Sequence, residues 1–198
     1  MKTRALITPL ALVALLVPAA LSAQDLHPSR RPSPMGMART HLGETYVRIV
    51  YSRPYQRGRD NIFGTEESGA LVPFGKAWRT GANEATEITV TGDVGFGDAG
   101  TLPAGTYSIY SIPGPERWSI HFNSALGLTG TVREDEAGET VDAYDPADDV
   151  LVVEAAPTSL EETVDQFTIS FEETEGGADM IWRWIDTEIR VPIHGAAG

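Results

Sequence analysis

Polar and apolar residues alternate with a period of two in short runs along most of this 198-residue chain, and no stretch carries the three-to-four spacing of a long amphipathic helix. Thr45 to Ser52 shows the pattern best: Tyr46, Arg48 and Val50 fall on one face, Val47, Ile49 and Tyr51 on the other. Similar runs cover Glu87 to Val94, Thr106 to Ile112, Trp118 to Phe122, Val150 to Glu154, Gln166 to Phe171, Met180 to Ile185 and Glu188 to Ile193. Gly and Pro separate them, as in Leu102-Pro103-Ala104-Gly105. Asp186-Thr187 reads as a tight hairpin turn between the last two runs. Ala155 to Val164 reads as one short helical turn or a loop, with Thr158 or Ser159 as N-cap before Glu161 and Glu162. Gly130 to Asp149 reads as a long, exposed, acidic hairpin loop. About eight strands of this kind predict an all-β fold: a single-domain antiparallel β-sandwich, jelly-roll or Ig-like, with little helix.

The N-terminus reads as a secretory signal peptide. Lys2 and Arg4 precede an apolar run from Ala5 to Ala20, and Leu21-Ser22-Ala23 offers cleavage after Ala23. A membrane anchor is the rival reading, weakened by the shortness of the run and by Pro9 and Pro18. The expectation is an exported protein, periplasmic or extracellular, with no membrane span after cleavage. The absence of cysteine excludes a lipid-anchored lipoprotein, thiol catalysis and cysteine-ligated metal. Residues 24–39 follow as a Pro-rich leader, poorly ordered or laid along a sheet edge. The predicted domain spans 40–194, with a tail at 195–198.

Charge divides unevenly. Residues 24–90 hold nine basic and seven acidic side chains, residues 91–198 four basic and 21 acidic. The acidic half argues against nucleic acid and anionic membrane surfaces as partners and reads as a solvated face. The arginine-rich front half is the exception.

Within that half, Trp78-Arg79-Thr80-Gly81-Ala82-Asn83-Glu84-Ala85-Thr86 fits neither strand nor helix. It sets a cation, an amide, a carboxylate and two hydroxyls beside an indole. An arginine fork binds carboxylate or phosphate through parallel hydrogen bonds. Asn83 both donates and accepts, and Trp78 offers an apolar wall. Arg53, Arg59, Trp78, Arg79, Asn83 and Glu84 are therefore the candidate ligand-binding residues, for a small anionic or sugar-like molecule. An enzymatic alternative casts Glu84 as general base and Arg79 or Arg53 as anion stabiliser, in a hydrolase or lyase. A structural alternative uses the same groups to satisfy irregular backbone between two sheets. A third makes the protein an interaction module working through its acidic half or a free sheet edge.

Together with Tyr51-Ser52-Arg53-Pro54, Arg57-Gly58-Arg59, Ile62-Phe63-Gly64, Leu71-Val72-Pro73-Phe74-Gly75-Lys76, Leu102 to Tyr107 and Ile112-Pro113-Gly114, this block resembles the DUF2911 family of exported bacterial proteins. The resemblance runs from about Pro32 to Ile193. It implies a β-rich exported domain and brings no established reaction, cofactor or catalytic residue. The chain departs from the family pattern in an insertion, Thr65 to Ala70, and in lacking the usual Trp-Gly pair after Asn123, where Leu126-Gly127-Leu128 stands.

Other signals are weak. His27, His41, His121 and His194 lack metal-ligand spacing, and His121 reads as a half-buried sheet residue. Asp142, Asp145, Asp148 and Asp149 lack the order of a calcium loop and read as turn residues. There is no Gly-x-Ser-x-Gly elbow, and no Gly-x-Gly-x-x-Gly before a helix. Met180, Trp182 and Trp184 share a strand face and read as core. No metal or cofactor is expected.

Overall fold

The alternating runs become the strands of two stacked antiparallel sheets. The computed structural model of the chain describes residues 31–129, 132–134 and 137–196. The expected signal peptide at 1–23, the first part of the leader, His27, four residues of the acidic loop and the last two residues lie outside them. In chain order the strands are β1 (Met35–Leu42), β2 (Thr45–Ser52), β3 (Phe63–Gly64), β4 (Val72–Pro73), β5 (Thr86–Val90), β6 (Val94–Gly95), β7 (Thr101–Leu102), β8 (Gly105–Ile112), β9 (Trp118–Asn123), β10 (Val132–Glu134), β11 (Thr140–Asp142), β12 (Asp149–Ala155), β13 (Pro157–Thr174) and β14 (Gly177–Gly195). One sheet has the order β1-β2-β5-β8-β9-β12 and the other β13-β14-β6-β7. β10 and β11 form a separate hairpin, and β3 and β4 a short parallel pair. The result is an all-β, sandwich-like fold. Among the described residues no helix is long and apolar enough to cross a membrane.

The period of two decides what faces inward. Val47, Ile49 and Tyr51 of β2, Ile88 and Val90 of β5, and Trp118, Ile120 and Phe122 of β9 are buried, as are Phe167 and Ile169 of β13. Burying each such side chain contributes roughly 1.5–3 kcal/mol.

Two expectations are corrected. Asp186-Thr187 is no hairpin turn: β14 runs through it from Gly177 to Gly195. The inward residues are Met180, Trp182 and Trp184 before this point, and Ile189, Val191 and Ile193 after it. Even positions give way to odd ones at Ile185, which takes a positive φ of 57°. The irregularity lets both halves of the strand keep their apolar side chains inward. Ala155 to Val164 is neither helix nor loop. Thr158 and Ser159 pair with Glu188 and Thr187, and the stretch is polar because most of its side chains face solvent. Met35 to Arg39 of the leader pair with β2 as an edge strand, and Gly195 pairs with Val94 at the other end.

Candidate functional site

The Trp78–Thr86 block is a loop held in one conformation from both ends. Trp78 and Ser111 exchange both backbone hydrogen bonds at 2.8 Å, and the indole Nε1 of Trp78 donates to the Gly81 carbonyl at 3.0 Å. Thr86 Oγ1 donates to the Thr80 carbonyl, and the fully buried Thr80 hydroxyl meets that of Ser111, both at 2.5 Å. Thr80 and Asn83 carry positive φ angles of 51° and 59°, and Gly81 one of 154°. A Cβ on Gly81 would lie 2.8 Å from the Ser52 carbonyl oxygen. Gly81→Ala is therefore expected to cost about 1–3 kcal/mol from backbone strain alone, read as a lower urea midpoint at unchanged m-value.

What this frame presents is Arg79. Its side chain lines a cavity of about 500 Å³, together with Arg57, Arg59, Lys76, Tyr110 and Tyr144. Trp78, Trp184, Leu71 and Val72 supply apolar wall. Four cations and one carboxylate, that of Asp142, belong to the lining. Four buried side-chain polar atoms among the described residues lack a hydrogen-bond partner, and three of them are on residues that line this cavity: Arg59 Nε, Arg79 Nε and Tyr110 Oη. Such groups are rare in native proteins because leaving one unmade costs about 1–3 kcal/mol. Burial lowers the pKa of Arg79, opposed by Tyr110 and Glu84 through space. It pushes the Tyr110 phenol up to about 12, against the pull of Arg79, so at neutral pH the phenol keeps its proton.

Of the six residues singled out in sequence, Arg59, Trp78 and Arg79 meet at the cavity, whereas Arg53, Asn83 and Glu84 do not line it. Arg53 donates from Nε to the Phe167 carbonyl (3.1 Å) and from Nη2 to Thr168 Oγ1 (2.8 Å), tying β2 to β13. Asn83 donates to the Ser33 carbonyl (3.1 Å) and to Ser52 Oγ (3.0 Å). Glu84 accepts from Arg31 Nη1 at 2.6 and 2.5 Å. With Arg57 Nη2 on the Pro32 carbonyl (2.6 Å) and the Arg53 amide on that of Pro34 (2.8 Å), four consecutive residues of the leader are clasped by the polar block and its neighbours. Much of the predicted ligand chemistry is thus spent on the chain's own N-terminal strap.

Burial alone would raise the Glu84 pKa, but the hydrogen bonds and charge of Arg31, with the backbone and Arg79, outweigh it and hold the carboxyl below its ordinary value of 4.5. That is the wrong state for a general base, which needs a raised pKa in an open cleft. A depressed carboxylate pKa contributes stability above the unfolded value, lost as pH falls through the folded one. The strap should therefore loosen below the ordinary glutamate range, visible as faster amide exchange around residues 31–35 in acid, with Glu84→Gln loose at every pH.

His121 is buried and carries no site of its own. Its Nδ1 lies 2.7 Å from Asp149 Oδ2 and its Nε2 2.8 Å from Ser119 Oγ, and Tyr144 Oη reaches both His121 Nδ1 (2.9 Å) and Asp149 Oδ2 (2.7 Å). The network anchors Tyr144 beside the cavity, its ring 5.1 Å from that of Tyr110. Asp145 caps the turn Pro146–Asp148 through the Ala147 amide, so two of the loop's aspartates have structural partners. Among the described residues no group of three His, Cys, Asp or Glu is placed to hold a metal ion. The residues that sequence patterning passed over are Lys76, Tyr110, Tyr144 and Trp184. Nothing in a strand run or an acidic loop marks one tyrosine as facing a cavity.

The sequence model of a family described as Protein of unknown function (DUF2911) matches residues 33–193, most of the chain. The chain belongs to the DUF2911 family. No curated protein and no solved structure matches it. None of the residues read above as departures from the family pattern, Thr65 to Ala70 and Leu126 to Leu128, is in the cavity lining. Residues Glu66–Ser68 of the insertion form an exposed 3-10 turn closed by Gly69 at φ 70°. Leu128 accepts a hydrogen bond from the Ala85 amide at 2.9 Å, bracing the far end of the polar block.

Proposed function

We propose that this protein is an exported, non-enzymatic binding protein for a small anionic ligand, held in the cavity of Arg59, Arg79 and Tyr110. One observation carries this reading: three buried donors without partners belong to residues lining a single cavity whose charged groups are four cations and one carboxylate. Two guanidinium Nε–H groups can only donate and a protonated phenol donates as well as accepts, and an oxyanion can accept from all three. A sugar fits less well, because its hydroxyls need acceptors too. Sugar rings also stack on free aromatic faces, whereas Trp78 is stacked on Trp184 at 5.8 Å and 16° and meets Phe63, Phe167 and Trp118 edgewise. Export follows from the signal-peptide pattern of residues 1–23.

The test is a titration of the purified protein with inorganic phosphate and with acetate, followed by tryptophan fluorescence and melting temperature. Saturable binding that raises the melting temperature is expected, since a ligand held only by the native state stabilises it by mass action. No saturable response to either anion up to tens of millimolar would remove this reading.

A further inference from the structure

The donors occupy only part of the cavity. An oxyanion headgroup of a few atoms leaves most of about 500 Å³ empty, whereas small-molecule pockets of roughly 300–1,000 Å³ enclose whole ligands. Part of the remaining wall is apolar: Leu71, Val72, Trp78 and Trp184. Leu71 is 48% exposed and Tyr55, also in the lining, 36%, so apolar surface stands uncovered beside the cations. A site built for a bare inorganic ion has no use for that surface, and covering it is favourable in proportion to its area.

We propose that the cavity takes an amphipathic oxyanion, its headgroup on Arg59, Arg79 and Tyr110 and its hydrocarbon body along Leu71, Val72 and the two tryptophans. This rests on the anion reading above and narrows it to carboxylates or phosphate monoesters that bear an alkyl or aryl body. Burying a few methylenes at about 0.8 kcal/mol each makes a body of modest length worth at least tenfold in affinity over the headgroup alone.

The probes are acetate against octanoate, inorganic phosphate against octyl phosphate, and neutral octanol, all below their aggregation concentrations and titrated into the full chain by tryptophan fluorescence. Octanoate or octyl phosphate should bind at least ten times more tightly than its bare headgroup, and the better of the two names the headgroup. Leu71→Ser, at a half-exposed position, should narrow that gap severalfold. Equal affinity for long and short anions would overturn the amphipathic ligand and leave the anion site standing. Octanol binding as well as octanoate, or none of the anions binding, would overturn both.

Discussion

Replacing Arg79 with methionine should weaken phosphate binding roughly 10- to 150-fold, the worth of a hydrogen bond to a charged group at about 1.5–3 kcal/mol, while leaving the protein as stable as before or more so. Arg79 is half-buried, its Nε is buried without a partner, and burial lowers its pKa. In the free protein such a cation is a net cost. Replacing it with an apolar side chain of similar length removes that cost, and buried charges exchanged for hydrophobic residues often leave stability unchanged or improve it by about 1–4 kcal/mol. The melting temperature should hold or rise by a few degrees. Binding and stability then move in opposite directions, the mark of a group kept for its ligand rather than for the fold. A variant that melts well below the parent would show Arg79 to be a structural member, like Arg53 with its two bonds to β13.

Trp184→Ala should do the reverse to the fold. Trp184 is 2% exposed, stacks on Trp78, and meets Phe63 and Phe167 edgewise at 5.8 and 5.9 Å. Its Nε1 donates to the Asp165 carbonyl at 3.2 Å. It immediately precedes Ile185, where β14 changes the parity of its inward face. Removing it opens a void beside the two register shifts that flank the Val164–Ile185 pair. The expected loss is about 3–5 kcal/mol, a fall in melting temperature of roughly 6–20 °C at this size, measured by calorimetry with and without phosphate. A shift under 2 °C would mean that the aromatic cluster around Trp78 does not hold the cavity open.

The contrast between these residues explains how much of the site was legible. Arg79 and Glu84 stand five positions apart in an irregular, polar block, and sequence treats them alike. In the fold, Glu84 turns to Arg31 of the strap, while the Trp78–Ser111 pairing and the left-handed backbone at Thr80 aim Arg79 into the cavity. Arg59 was equally visible, but Tyr110 and Tyr144 were not, because each becomes a site residue only through neighbours far away in the chain. Strand patterning fared best where one face is buried, as in β2, whose bounds match the alternating run. It failed at Asp186-Thr187, where a break in alternation is compatible with a turn or a bulge, and in Pro157 to Val164, where a mostly solvated strand carries no apolar signal.

Local sequence by itself determined the all-β character, the inward faces of the long strands and the family, because side-chain alternation and short motifs are properties of neighbouring residues. Only the tertiary structure decided which polar groups are consumed by the chain and which are left over. Hydrogen-bond satisfaction depends on partners from distant strands, and the unspent donors of Arg59, Arg79 and Tyr110 are defined by what the fold failed to place beside them.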